Sequence, residues 1–202
     1  PRGDGKVNNV DKIPHVLSMS ATPIPRSLAL TIFGDLEVSI LQKPLERKKI
    51  VTKVIYDEET QEKMYEWIRN EVATNKSQVY VVCPLIQDSE VLDTKSTMSE
   101  FENLKKVYKE FNVEILHGKI KSKEKDAILR RFKDREIDIL VSTSVIEVGI
   151  DNPNASIMII EGAERFGLAQ LHQIRGRVGR SDKQSYCFLK STGNLDDERL
   201  NF

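Results

Sequence analysis

The sequence has little of what marks secreted, membrane or metal-binding proteins. It contains two cysteines, Cys83 and Cys187, and each lies in an apolar run typical of a strand. We therefore expect both to pack in a core, rather than to form a disulfide or a metal site. The sequence also shows no signal peptide and no apolar run of membrane-spanning length. These absences predict a soluble, cytoplasmic protein with no membrane partner.

A net charge is also missing. The 31 Lys and Arg residues equal the 31 Asp and Glu residues, so global charge gives no support for nucleic-acid binding and any such site must be local. Residues 119–135 provide one local excess, with eight basic residues against three acidic ones. They directly follow His117 and Gly118. A lone histidine is more often a structural hydrogen-bonding group than a catalyst, but with Lys119 and the lysines beyond it the segment predicts contact with a phosphate backbone.

Strand-like and helix-like segments alternate along the chain. After an irregular start, residues 16–20 predict a strand, 25–33 a helix, 37–41 a further strand and 42–49 a polar linker. From residue 51, the predicted strands are 51–56, 78–84, 113–116, 137–141, 156–160 and 185–189. The predicted helices are 58–75, 97–111, 122–135 and 167–178, and helical spacing in the second leaves open whether Leu104 or Lys105 faces the core.

Apolar runs such as 157–160 lack polar alternation, which is typical of strands covered on both faces. The sequence therefore predicts an α/β fold in which helices flank a parallel sheet. In such sheets ligands bind outside the carboxyl ends of the strands, and we expect the chemistry-bearing residues to fall at those ends.

Three polar segments could carry chemistry. Ser20-Ala-Thr-Pro-Ile-Pro25 lies between a predicted strand and helix, where Ser20 or Thr22 could also be a plain helix cap. Ser142-Thr143-Ser144 ends a strand and leads to Gly149-Ile-Asp151. Its hydroxyls and amides suit phosphate oxygens, and an exposed aspartate can accept from ribose hydroxyls, although a simple capping turn would look the same.

The third segment is Gln173-Ile-Arg-Gly-Arg-Val-Gly-Arg180, with three arginines in six positions. Arginine has a permanent charge and a planar fork of donors that matches phosphate oxygens. A cluster of this kind can stabilise charge on a phosphoryl group during transfer. The alternative is a solvated basic helix end, which its context disfavours.

Together these segments resemble motifs III, V and VI of superfamily-two helicases, in the same order. Two longer strings are more specific, namely Ser-Ala-Thr-Pro-Ile-Pro-Arg-Ser-Leu-Ala-Leu-Thr (20–31) and Glu-Arg-Phe-Gly-Leu-Ala-Gln-Leu-His-Gln-Ile-Arg-Gly-Arg-Val-Gly-Arg (164–180). They resemble the RecG family of bacterial ATP-dependent DNA helicases. The transcription-repair coupling factors share parts of both strings and are the alternative, but Val-Ile-Glu-Val-Gly-Ile-Asp (145–151) and Cys83-Pro-Leu-Ile86 fit the RecG family better.

The resemblance implies RecA-like motor lobes, of which residues 1–45 would end the first and residues 46–202 would form the second. The sequence has no Gly-x-x-x-x-Gly-Lys-Ser/Thr loop and no Asp-Glu-x-His box, which hold the phosphates and Mg²⁺ in this superfamily. We expect them in a first lobe upstream, after a DNA-binding wedge domain, and expect this chain alone to be inactive. The resemblance implies ATP with Mg²⁺ as cofactor, branched or forked DNA as partner, and a role in recombination and repair in the bacterial cytoplasm.

The resemblance also implies roles for single residues. Arg177 and Arg180 match arginine fingers, and Gln173 matches a glutamine that contacts the γ-phosphate or the attacking water. Nucleotide contacts would include Gly149 and Asp151. Nucleic-acid contacts would come from Ser142, Thr143, His117, Gly118 and Lys119, and Ser20, Ala21 and Thr22 would couple the two sites. A non-enzymatic binding module with a motor fold is the alternative, which the intact arginines disfavour.

Overall fold

The computed structural model describes residue 39 and residues 48–84, 90–143 and 152–191, with only the backbone described for 90–96. The predicted elements at 16–20 and 25–33 lie outside these ranges, as do Ser20, Ala21 and Thr22. The chain divides into two compact units, Pro1–Ser39 and Ile40–Phe202, and every element below belongs to the second. The proposed boundary between lobes near residue 45 stays a prediction.

Six strands and four α-helices lie in the described residues, and they alternate except that β5 is the next described element after β4. The strands are β1 (Val51–Ile55), β2 (Gln78–Cys83), β3 (Val113–Leu116), β4 (Ile139–Thr143), β5 (Ala155–Ile160) and β6 (Tyr186–Lys190). The helices are α1 (Glu58–Asn75), α2 (Glu90–Val107), α3 (Ser122–Lys133) and α4 (Leu168–Arg175), and a short 3₁₀ turn (Ala163–Arg165) precedes α4. All ten elements predicted from residue 51 onward are confirmed, most of them within two residues of the expected bounds.

Two of the predicted elements are displaced. Helix α2 lies at Glu90–Val107 rather than 97–111, and it ends before the expected bound because residues 108–111 form a turn, in which the amide of Phe111 donates to the carbonyl of Tyr108. Strand β4 was expected at 137–141 but starts at Ile139, since the amide of Asp138 donates to the carbonyl of Asn112 and its carboxylate accepts from the Asn112 amide. Strand β4 then continues through two hydroxyl residues to Thr143.

The strands form one parallel sheet in the order β1-β6-β5-β2-β4-β3. Strands β2, β4 and β5 are buried along their whole length, as expected for central strands covered on both faces. The predicted fold class, a parallel sheet flanked by helices, is confirmed. Because all strands run the same way, the sheet has one edge of strand beginnings, here the amino edge, and one of strand ends, here the carboxyl edge.

Two hydrophobic cores cover the faces of the sheet. Alternate residues of β2 point to opposite faces, so Tyr80 and Val82 contribute to one core and Val79 and Val81 to the other. The first core includes the apolar residues of α3 and α4 and contains Cys187. The second includes those of α1 and α2 and contains Cys83. Both cysteines are free and buried, and burial raises the pKa of the Cys187 thiol to about 12, so their predicted core role is confirmed.

Leu104, not Lys105, is the α2 residue that faces the core. Its side chain is fully buried beside Phe101 and Tyr108, whereas Lys105 is exposed. Met98, which shares the helical spacing, is 38% exposed. The buried face of this segment therefore consists of Phe101, Leu104 and Tyr108, which are spaced three and four residues apart, and it does not include Met98.

We predict that Leu104→Ala lowers the free energy of unfolding by about 2–5 kcal/mol, because it removes a buried side chain and leaves a cavity. Urea unfolding followed by circular dichroism measures this. The neighbouring exposed Asn103→Ala is the control and should change stability by no more than about 0.5 kcal/mol. Equal effects of the two substitutions would contradict the assignment of this buried face.

Candidate functional site: two edges of one sheet

The predicted nucleic-acid contacts lie at the carboxyl edge. Thr143 is the last residue of β4 and His117 follows the last residue of β3, and these two strands are neighbours in the sheet. Ser142 is fully buried, and its hydroxyl lies 3.4 Å from the Val81 carbonyl, to which it donates. The Thr143 hydroxyl is buried without a hydrogen-bond partner among the described residues. Of these two buried hydroxyls, only that of Thr143 has hydrogen-bond donor capacity that the described residues leave unused.

The segment from His117 to Lys119 combines exposed backbone with a cation. A Cβ atom added at Gly118 would meet nothing within 4 Å, so a ligand can approach the backbone there. The Lys125 ammonium donates to the Gly118 carbonyl at 3.0 Å, which ties the turn to α3. Partial burial lowers the pKa of His117, helped by Lys119 and Lys125. His117 is therefore largely neutral at pH 7, and the positive charge of the segment comes from the lysines.

Helix α4 carries the glutamine and leads to the arginines. Its first turn is closed by Gln170, whose side-chain oxygen accepts from the Gly167 amide at 3.1 Å. Leu171 and Ile174 are buried in the core, whereas Gln173 points outward and is exposed. Amphipathic spacing thus positions Gln173 on the surface one turn before the arginine segment.

The arginine segment lies at the amino edge. Gly179 has φ +79° and its added Cβ would come within 3.1 Å of Ile50 and 3.9 Å of Ser185, which precede β1 and β6. A side chain at this position would press against Ile50, and this backbone conformation is strained for any residue with a side chain. Gly179 therefore seats the chain between two strand beginnings, with half-buried Arg177 and Arg180 on either side.

The expectation that all chemistry-bearing residues fall at the carboxyl edge is wrong for Arg177 and Arg180. A helix that follows a parallel strand must return the chain to the opposite edge before the next strand can begin. Residues just before α4 lie at the carboxyl edge, and those just after it lie at the amino edge. The nucleic-acid candidates and the arginines are therefore separated by the length of the strands.

Gly149 and Asp151 lie outside the described residues, but Asn152, which directly follows Asp151 in the sequence, is described. It is 1% exposed, and its side-chain amide donates to the Gln78 side chain at 3.1 Å. Gln78 begins β2 and Ala155 begins β5, so Asn152 also belongs to the amino edge. No sequence signal singled out Gln78, since it reads as the polar start of an apolar strand.

A buried charge cluster at the carboxyl edge was also missed by sequence analysis. The Lys190 ammonium, at the end of β6, lies 2.8 Å from Glu161 and 3.6 Å from Glu100, and donates to the Tyr65 hydroxyl at 3.1 Å. Burial, reinforced by the Glu100 carboxylate, raises the pKa of Glu161 to about 7. Burial alone would lower the pKa of Lys190, but the two carboxylates outweigh it and raise that pKa above its ordinary value. Lys190 thus joins α1, α2 and the turn before α4.

Within the part of the chain that the structure describes, no three or more His, Cys, Asp or Glu side chains converge as a metal site. No helix there is both long and apolar enough to cross a membrane. Guanidinium groups and an exposed amide, the donor set at the amino edge, suit phosphate oxygens rather than a cation.

Comparison with known proteins identifies the family. The family model for the helicase conserved C-terminal domain matches residues 59–182, which include Thr143 and the segments 117–119 and 173–180. The chain belongs to this helicase family. The RecA-like fold expected from the sequence resemblance is thereby confirmed.

The similarity to RecG proteins is also confirmed. The ATP-dependent DNA helicase RecG of Synechocystis is 54% identical over 188 residues, which cover 92% of this chain and 22% of that protein. The RecG of Aquifex aeolicus is 52% identical over 187 residues, with 92% and 23% coverage. A solved structure of RecG bound to a three-way DNA junction matches with a TM-score of 0.72 at 44% identity, over 91% of this chain and 24% of that one.

These relatives favour RecG over the transcription-repair coupling factors. The helicase chain described here spans less than a quarter of the length of the two curated relatives. Its own fold and family follow from these comparisons.

We predict that Lys190→Met costs more stability at pH 8 than at pH 5.5. The pKa of Glu161 is about 7 in the folded protein, above its value of 4.5 in the unfolded chain. The protonated Glu161 side chain therefore stabilises the folded state at low pH, and this stability is lost as the pH rises through about 7. Without the ammonium, ionised Glu161 and Glu100 would be left facing each other, at a cost of about 3 kcal/mol. Urea unfolding at both pH values measures the difference.

The double variant Glu161→Gln with Lys190→Met provides the control, because it removes the titrating carboxyl. Its cost should be nearly the same at both pH values. A pH-independent cost of Lys190→Met alone would refute the proposed charge balance.

Proposed function

We propose that this helicase chain is the second motor lobe of a longer ATP-dependent DNA helicase of the RecG type, acting on branched or forked DNA. The observation that carries the proposal is the separation of the two sets of residues. Paired arginines occupy the amino edge, and exposed lysines with a partly exposed histidine occupy the carboxyl edge. One lobe can then hold a nucleotide and a DNA strand at the same time without overlap.

The amino edge is the proposed nucleotide side. Arg177 and Arg180 would direct guanidinium donors at the phosphates, where their charge stabilises negative charge that develops during transfer. Gln173 would contact the terminal phosphate or the attacking water. Gly149 and Asp151 are carried over as further contacts by motif match. ATP bound with Mg²⁺ would supply the phosphoryl group that is transferred, and the phosphate loop and metal ligands would come from the first lobe.

The carboxyl edge is the proposed DNA side. The Thr143 hydroxyl would donate a hydrogen bond to the DNA backbone. The exposed backbone at Gly118 allows a phosphate to approach closely, and Lys119 supplies positive charge. His117, being largely neutral, can donate or accept a hydrogen bond but adds little attraction to phosphate. Ser142 would act through strand β4 rather than by direct contact, because its hydroxyl is buried and bonded internally.

The remaining parts of the proposal follow the RecG similarity. Residues 1–45 would belong to the first lobe, and Ser20, Ala21 and Thr22 would couple nucleotide state to the grip on DNA. The first lobe and a wedge domain would be partners within the same protein. The RecG structure that this chain matches is bound to a three-way DNA junction, which supports branched DNA as the substrate in the bacterial cytoplasm.

We predict that Arg180→Ala or Arg177→Ala in the full-length protein lowers ATP turnover by about 10³–10⁵-fold, the usual value of an arginine finger. DNA affinity should change little, since the arginines lie at the other edge. Lysine at either position should restore little turnover, because the planar fork is lost. Phosphate release and fluorescence anisotropy with a DNA fork measure the two properties.

Lys109→Ala, which removes one exposed charge after α2, is the matched control and should retain full turnover. Turnover within about tenfold of wild type in either alanine variant would contradict the assignment of that arginine as a finger, since a catalytic finger contributes far more.

We predict that Lys119→Ala weakens DNA binding in the full-length protein and reduces the slope of log affinity against log salt concentration by about one unit, because one phosphate contact is lost. Lys133→Ala removes an equal charge from the other end of α3, near the amino edge, and should leave the slope unchanged. Anisotropy titrations at several salt concentrations measure both. Equal slopes for wild type and Lys119→Ala would place the DNA elsewhere.

A further inference from the structure

Gln78 is a buried polar side chain in a strand that is otherwise apolar. It begins β2 and is 2% exposed. Its amide nitrogen donates to the carbonyls of Phe132 at 2.5 Å and Ile137 at 2.6 Å. Its amide oxygen accepts from the Asn152 side chain at 3.1 Å. Both donor hydrogens and the oxygen are engaged, which offsets the cost of burying the amide.

Two of these three partners, Phe132 and Ile137, lie on the segment from the end of helix α3 to strand β4, and the third, Asn152, lies in the turn before β5. Phe132 belongs to the last turn of α3 and Ile137 precedes β4. Helix α3 begins at the carboxyl edge, directly after Lys119 and Lys121, and its twelve residues extend about 18 Å at 1.5 Å per residue. One end of this rigid helix therefore lies beside the proposed DNA contacts, and the other end is bonded to Gln78.

Asn152 fixes the second segment. Its side-chain oxygen accepts from the backbone amide of Asn154 at 3.0 Å, and the backbone amide of Gln78 donates to the Asn154 carbonyl at 3.1 Å. The Arg135 guanidinium, in the turn after α3, also donates to the Asn154 side chain. The turn at 152–154 is thus bonded to the end of α3 twice, through Gln78 and through Arg135, and it lies on the edge that carries Arg177 and Arg180.

We propose that Gln78 is a positioning residue that couples the DNA-facing helix α3 to the nucleotide edge of the lobe. The inference rests on the proposed function, because it assigns DNA to one end of α3 and nucleotide to the edge at its other end. A shift of α3 on binding DNA moves the carbonyls of Phe132 and Ile137, and Gln78 passes that shift to Asn152. Gln78 contacts neither ligand, so its effect is on the coupling between them.

The test measures how strongly DNA stimulates ATP turnover in the full-length protein, as the ratio of turnover with saturating DNA fork to turnover without DNA. Gln78→Met keeps the size of the side chain and removes all three hydrogen bonds. We expect the ratio to fall by about 2- to 30-fold, the range for residues that link two sites. Leu104→Ala is the control, because it destabilises the same lobe away from this network and should leave the ratio unchanged.

A second variant covers the case in which Gln78→Met does not fold. Asn152→Asp keeps an oxygen that can accept from the Asn154 amide. It replaces the NH₂ group that donates to the Gln78 side-chain oxygen with a second oxygen, so that this hydrogen bond is lost. It should lower the ratio in the same way.

The outcomes separate this inference from the proposed function. If wild-type protein shows no DNA-stimulated turnover, the proposed function fails and the inference fails with it. If wild type is stimulated but the folded variants keep its ratio within twofold, Gln78 only supports the fold. The coupling role is then overturned while the proposed function stands.

Discussion

The common direction of the six strands determines where each polar segment of this lobe lies. In a parallel sheet, a segment that follows a strand lies at the carboxyl edge, and a segment that follows the returning helix lies at the amino edge. Thr143 ends strand β4 and His117 follows β3, whereas Arg177 and Arg180 follow helix α4. The same constraint that builds the sheet therefore places the two proposed binding functions on opposite edges, with both hydrophobic cores between them.

The buried polar groups are exceptions to the apolar core, and they lie where segments from distant parts of the sequence meet. Lys190 bonds or pairs with side chains of α1, α2 and the turn before α4, while Gln78 joins the end of α3 to the turn at 152–154. Each would be costly if left unpaired in such a position. Hydrogen bonds of this kind specify one arrangement of neighbouring elements more narrowly than apolar contacts do.

Local patterns predicted most of the fold, because apolar periodicity and turn residues act over a few positions. The bounds of α1 and β3 agree with their predicted ranges, while β4 was misplaced since its buried Ser142 and Thr143 look like loop residues in a sequence. The predicted carboxyl-edge position is wrong for Arg177 and Arg180, because α4 returns the chain to the amino edge before these residues occur. Gln78, Asn152 and Lys190 were not recognised, because the bonds that join Gln78 to Asn152 and Lys190 to Glu161 and Tyr65 span 29 to 125 residues and no local pattern relates such distant positions.

The central claim is that DNA and nucleotide contact opposite edges of this one sheet, and hydrogen–deuterium exchange of the full-length protein tests it most directly. Exchange would be measured with a DNA fork alone and with a non-hydrolysable ATP analogue alone. We expect DNA to slow exchange at 117–123 and around Thr143, and the nucleotide analogue to slow exchange at 152–154 and 173–180. Direct DNA protection of 173–180 with none at 117–123 would contradict it.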